Sequence, residues 1–333
     1  MLFSQDMCID PGTSNTRVFV RGKGVVINEP SVVAVDTDGG GNVVAVGGEA
    51  KDMIGRTPGS ITAVCPIKDG VIADFETTAQ MLRLLMRKAT NNAIFTRIRA
   101  MICISSGVTD VERRAVHLAA RDAGARYVSL IEAPMAAAIG AGLPIHRPEG
   151  TMVVDIGGGS TEVAVLALGD VVSSRAIRIG AKHMDEAIIE YVRRKNNLLI
   201  GERTAEDVKL KIGSAFPYEG EGAMSIRGRR LDDGLPGSAE ISSHEVRDAL
   251  YEPLTKIAEL VKTTVEKTPP ELVGDILNSG IVLTGGGALL RGMARLIKSE
   301  VKIPVRVADN ADSCVIRGAG RCLSNKVPGV SNE

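Results

Sequence analysis

The fold of this chain is decided by the stretch Met152-Val-Val-Asp155-Ile-Gly157-Gly158-Gly159-Ser160-Thr161-Glu162-Val163-Ala-Val165. Apolar residues run up to Asp155 and alternate again after the glycines, which predicts two strands joined by a tight turn. Three consecutive glycines leave backbone N–H groups open to phosphate oxygens. A carboxylate beside phosphate implies a hydrated divalent cation between them, because like charges repel. An ordinary surface hairpin shares this pattern, and it is the favoured interpretation for an isolated glycine turn.

The same pattern occurs twice in the chain. A shift of 145 residues places Asp10-Pro-Gly12-Thr13-Ser14-Asn15-Thr16-Arg-Val18-Phe-Val20 over the first stretch. Five positions then agree in type and order: Asp10 with Asp155, Gly12 with Gly157, Thr16 with Thr161, Val18 with Val163 and Val20 with Val165. Two copies of one hairpin predict a duplicated domain, and two facing domains could hold a phosphate chain from both sides.

Composition predicts a soluble intracellular α/β protein. The 333 residues allow about two domains, and 44% apolar residues suffice for two cores. The 40 basic residues balance the 40 acidic ones, which argues against a nucleic-acid partner. Five cysteines without a CxxC pattern are typical of reduced thiols. We expect neither a secretory signal nor a transmembrane segment, because no window contains 18 consecutive apolar residues.

A third glycine site lies near the end of the sequence, in Thr284-Gly285-Gly286-Gly287-Ala288. The pattern predicts a strand, a glycine turn and the start of a helix, which would offer N–H donors at a positive helix end. The glycine spacing and the late position disfavour a Rossmann dinucleotide site. The sequence contains no GxxxxGK[ST] motif, so the phosphate site must use backbone N–H groups and a metal without the usual lysine.

These motifs together resemble the phosphate and adenosine motifs of the actin, sugar-kinase and heat-shock-chaperone ATPase superfamily. Longer segments resemble, more narrowly, the bacterial rod-shape actin homologues of the MreB family, from about residue 5 to residue 324. The segments that carry this resemblance are Asn28-Glu-Pro-Ser-Val-Val, Lys68-Asp-Gly-Val-Ile-Ala-Asp-Phe75, Gly107-Val-Thr-Asp-Val-Glu-Arg-Arg114, Pro134-Met-Ala-Ala-Ala-Ile-Gly140, Met184-Asp-Glu-Ala-Ile-Ile189 and Gly201-Glu-Arg-Thr-Ala-Glu206.

The resemblance implies an actin-like ATPase fold of the α/β class. Two duplicated domains, each a mixed sheet with flanking helices, would form four subdomains with the nucleotide in a central cleft. Domain I would span residues 1–143, with a small subdomain inserted at about 33–74, and residues 316–333 would complete it. Domain II would span residues 144–315, with its own inserted subdomain at about 182–245.

The resemblance also implies ATP or ADP with Mg²⁺ as cofactors and assigns a role to each matching position. The phosphate contacts would be Thr13, Ser14, Asn15, Gly157, Gly158 and Gly159, and the hydrated cation would be held by Asp10 and Asp155. The ribose and adenine contacts would be Glu206 and Lys209, with Gly285, Gly286, Gly287 and Ala288 as the adenosine wall. From spacing alone, a solvent-facing i,i+3 ion pair is the favoured interpretation of Glu206 and Lys209.

Glu132 lies where actins carry the group that orients the attacking water, so the resemblance implies a catalytic role. A carboxylate at this place can orient the water and accept its proton. The alternative is an acid that stabilises a helix N-terminus, and both roles are compatible. The sequence departs from the family pattern at Pro11, Cys65, Ala133 and Ser160 and in Asn310-Ala-Asp-Ser-Cys314. Nucleotide binding is expected to survive these changes, whereas the hydrolysis rate is less secure.

The function implied is that of a slow ATPase that polymerises into membrane-associated filaments and directs cell-wall synthesis and cell shape. Its partners would be further copies of itself, the inner face of the cytoplasmic membrane and cell-wall elongation proteins. Membrane contact would come from Ile94 and Phe95 or from Leu2-Phe3; for Ile94 and Phe95 a strand edge on the core is the alternative. Asp155 to Glu162 also resembles exopolyphosphatases and guanosine-pentaphosphate phosphatases, which should lack the adenosine motifs.

Overall fold

A computed structural model of the chain describes residues 4–38, 40–56, 59–91 and 97–324. The strands in these residues are β1 (Ser4–Pro11), β2 (Asn15–Val20), β3 (Gly24–Pro30), β4 (Val33–Asp36), β5 (Asn42–Val46), β6 (Ile61–Val64), β7 (Ile67–Lys68), β8 (Val71–Ile72), β9 (Arg97–Ile104), β10 (Ala125–Glu132), β11 (Thr151–Ile156), β12 (Thr161–Ala167), β13 (Asp170–Ile177), β14 (Leu198–Leu199), β15 (Ala223–Arg230), β16 (Pro236–Ser242), β17 (Ile281–Thr284) and β18 (Val305–Val307). The α-helices are α1 (Gly48–Met53), α2 (Phe75–Ala89), α3 (Asp110–Asp122), α4 (Ala133–Gly140), α5 (Ala181–Asn196), α6 (Glu202–Ile212), α7 (Ser243–Glu266), α8 (Pro270–Ser279), α9 (Met293–Val301) and α10 (Cys314–Ser324).

Two five-stranded sheets of the same topology form the centre of the structure. The first has the strand order β3-β2-β1-β9-β10, and the second has the order β13-β12-β11-β17-β18. In both sheets the first three strands pair antiparallel and the last two join in parallel. The predicted duplication therefore extends from the hairpin motif to a whole mixed sheet.

The two hairpins place their acids at the same register. In β1 and β2, Asp10 lies opposite Arg17, and in β11 and β12, Asp155 lies opposite Glu162. Cross-strand partners share a face of the sheet, so each acid has a charged neighbour beside it. Every residue of β11 and β12 is buried, as expected for strands covered on both faces.

Two smaller sheets lie within the segments that we predicted as insertions. The sheet β5-β4-β6 comes from residues 33–64, and the sheet β14-β15-β16 comes from residues 198–242. The second insertion contributes the hairpin of β15 and β16, in the glycine-rich region that the sequence marks as turns. The domain bounds stay predictions, because one apolar cluster joins residues from both halves of the chain.

Helix ends follow the local signals in the sequence. Thr109 and Glu112, in a Thr-x-x-Glu pattern, form a capping box at the start of α3: Glu112 N–H donates to Thr109 Oγ1 at 3.2 Å, and Thr109 N–H donates to Glu112 at 2.8 Å. The prediction that a helix begins directly after Gly287 is wrong about its starting residue. Residues 286–289 form only a 3-10 turn, and α9 begins later, at Met293.

The helices α4 and α10 pack backbone to backbone between the two sheets. A Cβ added at Gly318 would overlap the carbonyl oxygen of Ala136, and one added at Gly140 would overlap that of Cys314. The cluster around them includes Ile316 from α10 and Val153 from β11. Glycine is required at these positions because any side chain would separate the helices and open the core.

No helix in the described ranges is long and apolar enough to cross a membrane. Ile94 and Phe95, and likewise Leu2 and Phe3, lie outside the described residues, so the membrane contact stays a prediction.

Replacing Gly318 by alanine should lower the free energy of unfolding by about 1 to 3 kcal/mol, because the added methyl group overpacks the contact between α4 and α10. The measurement is a urea unfolding curve. The matched control is Gly274→Ala on α8, where an added Cβ meets nothing within 4 Å. That control should stabilise the protein by up to about 1 kcal/mol. Equal stability of the two variants would contradict the proposed contact.

Candidate functional site

The turns of the two hairpins line one cavity of about 420 Å³ between the sheets. This size lies within the range of about 300 to 1,000 Å³ that is typical of small-molecule sites. The predicted site residues that line it are Asp10, Thr13, Ser14, Asn15, Asp155, Gly157, Gly158, Gly159, Glu206, Lys209, Gly285, Gly286 and Gly287. Glu132 and Ala288 do not line it. The structure therefore brings residues from all three glycine motifs into one place.

The two hairpin turns are built alike and approach each other closely. Gly12 N–H donates to the Asn15 carbonyl at 3.2 Å, and at the equivalent position Gly157 N–H donates to the Ser160 carbonyl at 2.9 Å. A Cβ at Gly159 would lie 2.5 Å from Thr13 Oγ1 of the other turn. The glycines thus let the two hairpins approach each other, in addition to leaving their N–H groups open.

Ser31 stabilises the first hairpin turn through a hydrogen bond, a role that the sequence analysis missed. Its side chain is fully buried, and its hydroxyl donates to the Gly12 carbonyl at 2.6 Å. The Thr16 hydroxyl oxygen lies 2.8 Å from Ser31 Oγ. A serine directly after a proline in a predicted strand region was the available signal, but its partner could not be read from the sequence.

Two carboxylates face this cavity, that of the buried Asp155 and that of the partly buried Asp10. Burial raises the pKa of Asp10 to about 6; the Arg17 guanidinium lowers this pKa, and the charge of Asp155 raises it further. Burial also raises the pKa of Asp155, against a hydrogen bond from the Thr284 hydroxyl, which donates to Oδ1 at 2.7 Å. Two acids buried in one place ionise together only when positive charge is present. The pair therefore fits a bound cation.

The sequence analysis missed three residues at the site: Arg17 and Glu162, which carry charge, and Thr284, which orients the carboxylate of Asp155. Arg17 and Glu162 line the cavity, whereas Thr284 is fully buried against Asp155. Burial raises the pKa of Glu162 to about 7, although its carboxylate accepts a hydrogen bond from Ser106 N–H at 2.9 Å. All three stand in the quoted motifs. For Arg17 and Glu162, the feature that could have identified them is the strand register, which places them opposite Asp10 and Asp155.

The residues predicted for ribose and adenine line the cavity, but their charged ends already have protein partners. Lys209 Nζ lies 2.7 Å from Asp185 Oδ1 and donates to the Ala181 carbonyl at 2.8 Å. The Glu206 carboxylate accepts from Lys51 Nζ at 2.9 Å. The alternative of a solvent-facing ion pair between Glu206 and Lys209 is wrong, because Lys209 is buried and each residue has another partner.

Glu132 points away from the cavity in this structure. Its carboxylate lies 3.6 Å from the Arg113 guanidinium on α3, and its neighbour Ala133, the first residue of α4, lines the cavity. The catalytic role of Glu132 stays a prediction. Ala288, predicted for the adenosine wall, is buried behind the glycines.

Ion pairs bridge the two halves of the chain at the mouth of the cavity. Besides Lys51 and Glu206, they join Asp52 with Arg203 at 3.8 Å and Glu112 with Arg178 at 2.9 Å. These side chains are largely exposed, and such pairs contribute about 0 to 1 kcal/mol each. The bridges therefore contribute little to the stability of the contact between the halves.

Known proteins share this architecture along nearly the whole chain. The family model of the MreB/Mbl proteins matches residues 4–328. The cell shape-determining protein MreB of Escherichia coli (strain K12) is 52% identical over 97% of this chain and 94% of its own length. The cell shape-determining protein Mbl of Bacillus subtilis (strain 168) is 48% identical over 97% of each.

A solved structure agrees with these sequence matches. MreB5 of Spiroplasma citri, crystallised with ADP, superposes with a TM-score of 0.91 at 39% identity, over 96% of each chain. The same protein with AMPPNP gives the same score at 40% identity. The predicted actin-like α/β fold is confirmed. The chain belongs to the MreB/Mbl family of actin-like cell shape-determining proteins.

Proposed function

We propose that this protein binds ATP with Mg²⁺ in the cavity between the hairpins, hydrolyses it slowly and polymerises into filaments on the inner face of the cell membrane. The observation that carries the proposal is the pair of equivalent hairpins, which brings a glycine turn and a buried acid to both sides of one cavity. The ADP and AMPPNP bound by MreB5 of Spiroplasma citri support the nucleotide.

The phosphate chain would lie between the two turns. Thr13, Ser14 and Asn15 would bind it from one side and the three glycines from Gly157 to Gly159 from the other. Backbone N–H groups at glycine turns suit phosphate oxygens, because no Cβ keeps the anion away. The Thr13 hydroxyl already accepts from Gly70 N–H at 3.0 Å, which orients it toward the second turn.

Asp10 and Asp155 would hold the hydrated cation. Both face the cavity, and both have a raised pKa that positive charge would relieve. Bound Mg²⁺ would neutralise charge on the phosphate oxygens as the terminal phosphoryl group leaves. Thr284 would keep Asp155 ionised and oriented, as supporting residues around a metal site do.

The adenosine would lie at the other end of the cavity, against Gly285, Gly286 and Gly287, with Ala288 behind them. A Cβ at Gly286 would meet nothing within 4 Å, so this wall is open to a ligand. Glu206 and Lys209 would reach the ribose and adenine. Glu206 would then share its carboxylate between the ligand and Lys51, which couples nucleotide binding to the bridge across the cleft.

Hydrolysis would be slow because the Glu132 carboxylate, which is implied to orient the attacking water, does not line the cavity. Glu132 pairs with Arg113, and the residue that lines the cavity beside it is Ala133, which offers no proton acceptor. For Glu132 to orient a water, its side chain would have to leave Arg113. We propose that this movement limits the rate of phosphate release.

Self-association, membrane attachment through Ile94 and Phe95 and contact with cell-wall elongation proteins are also part of the proposal. The relatives named as cell shape-determining proteins support a role in cell shape. A few apolar side chains bind a membrane weakly, so a filament with many copies is needed for firm attachment. The same relatives disfavour the phosphatase alternative, because they match almost the entire chain.

Purified protein should sediment as filaments in the presence of ATP and Mg²⁺, and should carry anionic liposomes into the pellet. Gly158→Ala should abolish nucleotide binding and sedimentation, because the new Cβ would overlap the Ser14 hydroxyl. The matched control is Gly59→Ala, where the added Cβ has open space. A protein that remains monomeric at micromolar concentration and releases phosphate from polyphosphate would support the phosphatase instead.

Replacing Thr284 by valine should weaken Mg²⁺-dependent ATP binding by about tenfold, because loss of the hydrogen bond raises the pKa of Asp155 further. The dissociation constant of ATP is measured at several Mg²⁺ concentrations. Thr264→Val is the control, since Thr264 is equally buried and donates only to the Leu260 carbonyl within α7. Equal ATP affinity of both variants would remove Thr284 from the site.

Replacing Glu132 by alanine should leave ATP bound and slow phosphate release by roughly 100-fold, the range of general-base catalysis. Ala133→Glu should accelerate release, because it places a carboxylate in the cavity wall. Single-turnover phosphate release measures both variants. If Glu132→Ala has the wild-type rate, Glu132 has no catalytic role.

A further inference from the structure

Arg17 is a cation in the cavity wall with incomplete hydrogen bonding. It lies on β2 directly opposite Asp10 and on the same face of the sheet. Its terminal nitrogens lie 3.9 Å from Asp10 Oδ2 and 3.7 Å from Asp312 Oδ2. Both distances exceed the usual range for a hydrogen bond. Arg17 Nε is buried and has no hydrogen-bond partner among the described residues.

This arrangement is unfavourable without a further ligand. A guanidinium has five N–H donors in a fixed plane, and buried donors in folded proteins are normally satisfied. The side chain of Arg17 is only 17% exposed, so solvent has little access to it. Because Arg17 also lines the cavity, an anion placed there can reach its unused donors.

The duplicated hairpin shows that this position differs between the two copies. The shift of 145 residues places Arg17 over Glu162, and both residues line the cavity. Glu162 accepts a hydrogen bond from Ser106 N–H at 2.9 Å, so its carboxylate has a partner within the protein. Arg17 has no equivalent partner at Nε. The first hairpin therefore contributes a positively charged side chain with an unused hydrogen-bond donor to the cavity.

We propose that Arg17 binds the phosphate chain of the nucleotide and supplies a fixed positive charge beside the cation site. Arginine suits this role because its planar donors match phosphate oxygens in pairs. Asp10 and Asp312 lie near different terminal nitrogens of the guanidinium. The inference rests on the proposed ATP site and changes the expectation that only backbone N–H groups and a metal hold the phosphates. Nucleotide binding should consequently persist in part without Mg²⁺.

The test compares Arg17→Leu, Arg17→Gln and Arg17→Lys with the wild type. The dissociation constants of ATP, ADP and adenosine are measured at equilibrium, once with Mg²⁺ and once with EDTA. Arg21→Leu is the matched control, because Arg21 is 52% exposed and pairs with Asp6 outside the cavity. Thermal unfolding of each variant shows whether it is folded, and Arg17→Gln replaces Arg17→Leu if the leucine variant is not.

In EDTA, loss of the charge at position 17 should weaken ATP and ADP by about tenfold or more, the value of a charge-assisted hydrogen bond. The loss should be smaller with Mg²⁺, adenosine should bind as before, and Arg17→Lys should recover part of the affinity. Unchanged ATP affinity in EDTA would overturn the role of Arg17 and leave the ATP site standing. Tighter Mg²⁺-dependent ATP binding by the Arg17 variants would also overturn this role, because Arg17 would then only neutralise the carboxylates. A wild-type protein that binds no ATP would refute the proposed function itself.

Discussion

The structure depends on the burial of two like charges, Asp10 and Asp155, at one cavity. Each carboxylate ends a strand of its own sheet, and burial raises the pKa of both. Such a pair destabilises the empty protein unless positive charge or donors surround it. The neighbours have this character: Arg17 lies beside Asp10, and the Thr284 hydroxyl donates to Asp155. The proposed cation and phosphate chain would complete this charge balance.

The same constraint explains how ligand binding could change the shape of the molecule. The two hairpins belong to different sheets, so a ligand that binds both turns draws the sheets together. The packing of α4 and α10 and the close approach of the two hairpin turns join the halves deep in the cleft, and ion pairs such as Lys51 with Glu206 cross it farther out. Exposed pairs are individually weak, and the packed helices are rigid. The arrangement therefore has a firm hinge side and a weakly bridged mouth, which suits closure on a nucleotide.

Much of the fold could be predicted from the sequence because the hairpin motif occurs twice in it. The repeat from Asp10 to Asp155 predicted duplication, and the sheets confirmed it with identical strand orders. Local signals also succeeded where the chemistry is local, as at the capping box of Thr109. They failed after Gly287, where glycines permitted a 3-10 turn before α9, because the helix start depends on the packing of Gly292 against Phe216.

By itself the sequence determined the glycine turns, the acids and their order, since these are properties of consecutive residues. The tertiary structure decided what stands next to them across strands and between sheets. Register placed Arg17 opposite Asp10, the sheet brought Thr284 to Asp155, and the turn of α4 set Ala133 rather than Glu132 into the cavity. Contacts between residues far apart in the chain follow from packing, and no spacing along one strand can specify them.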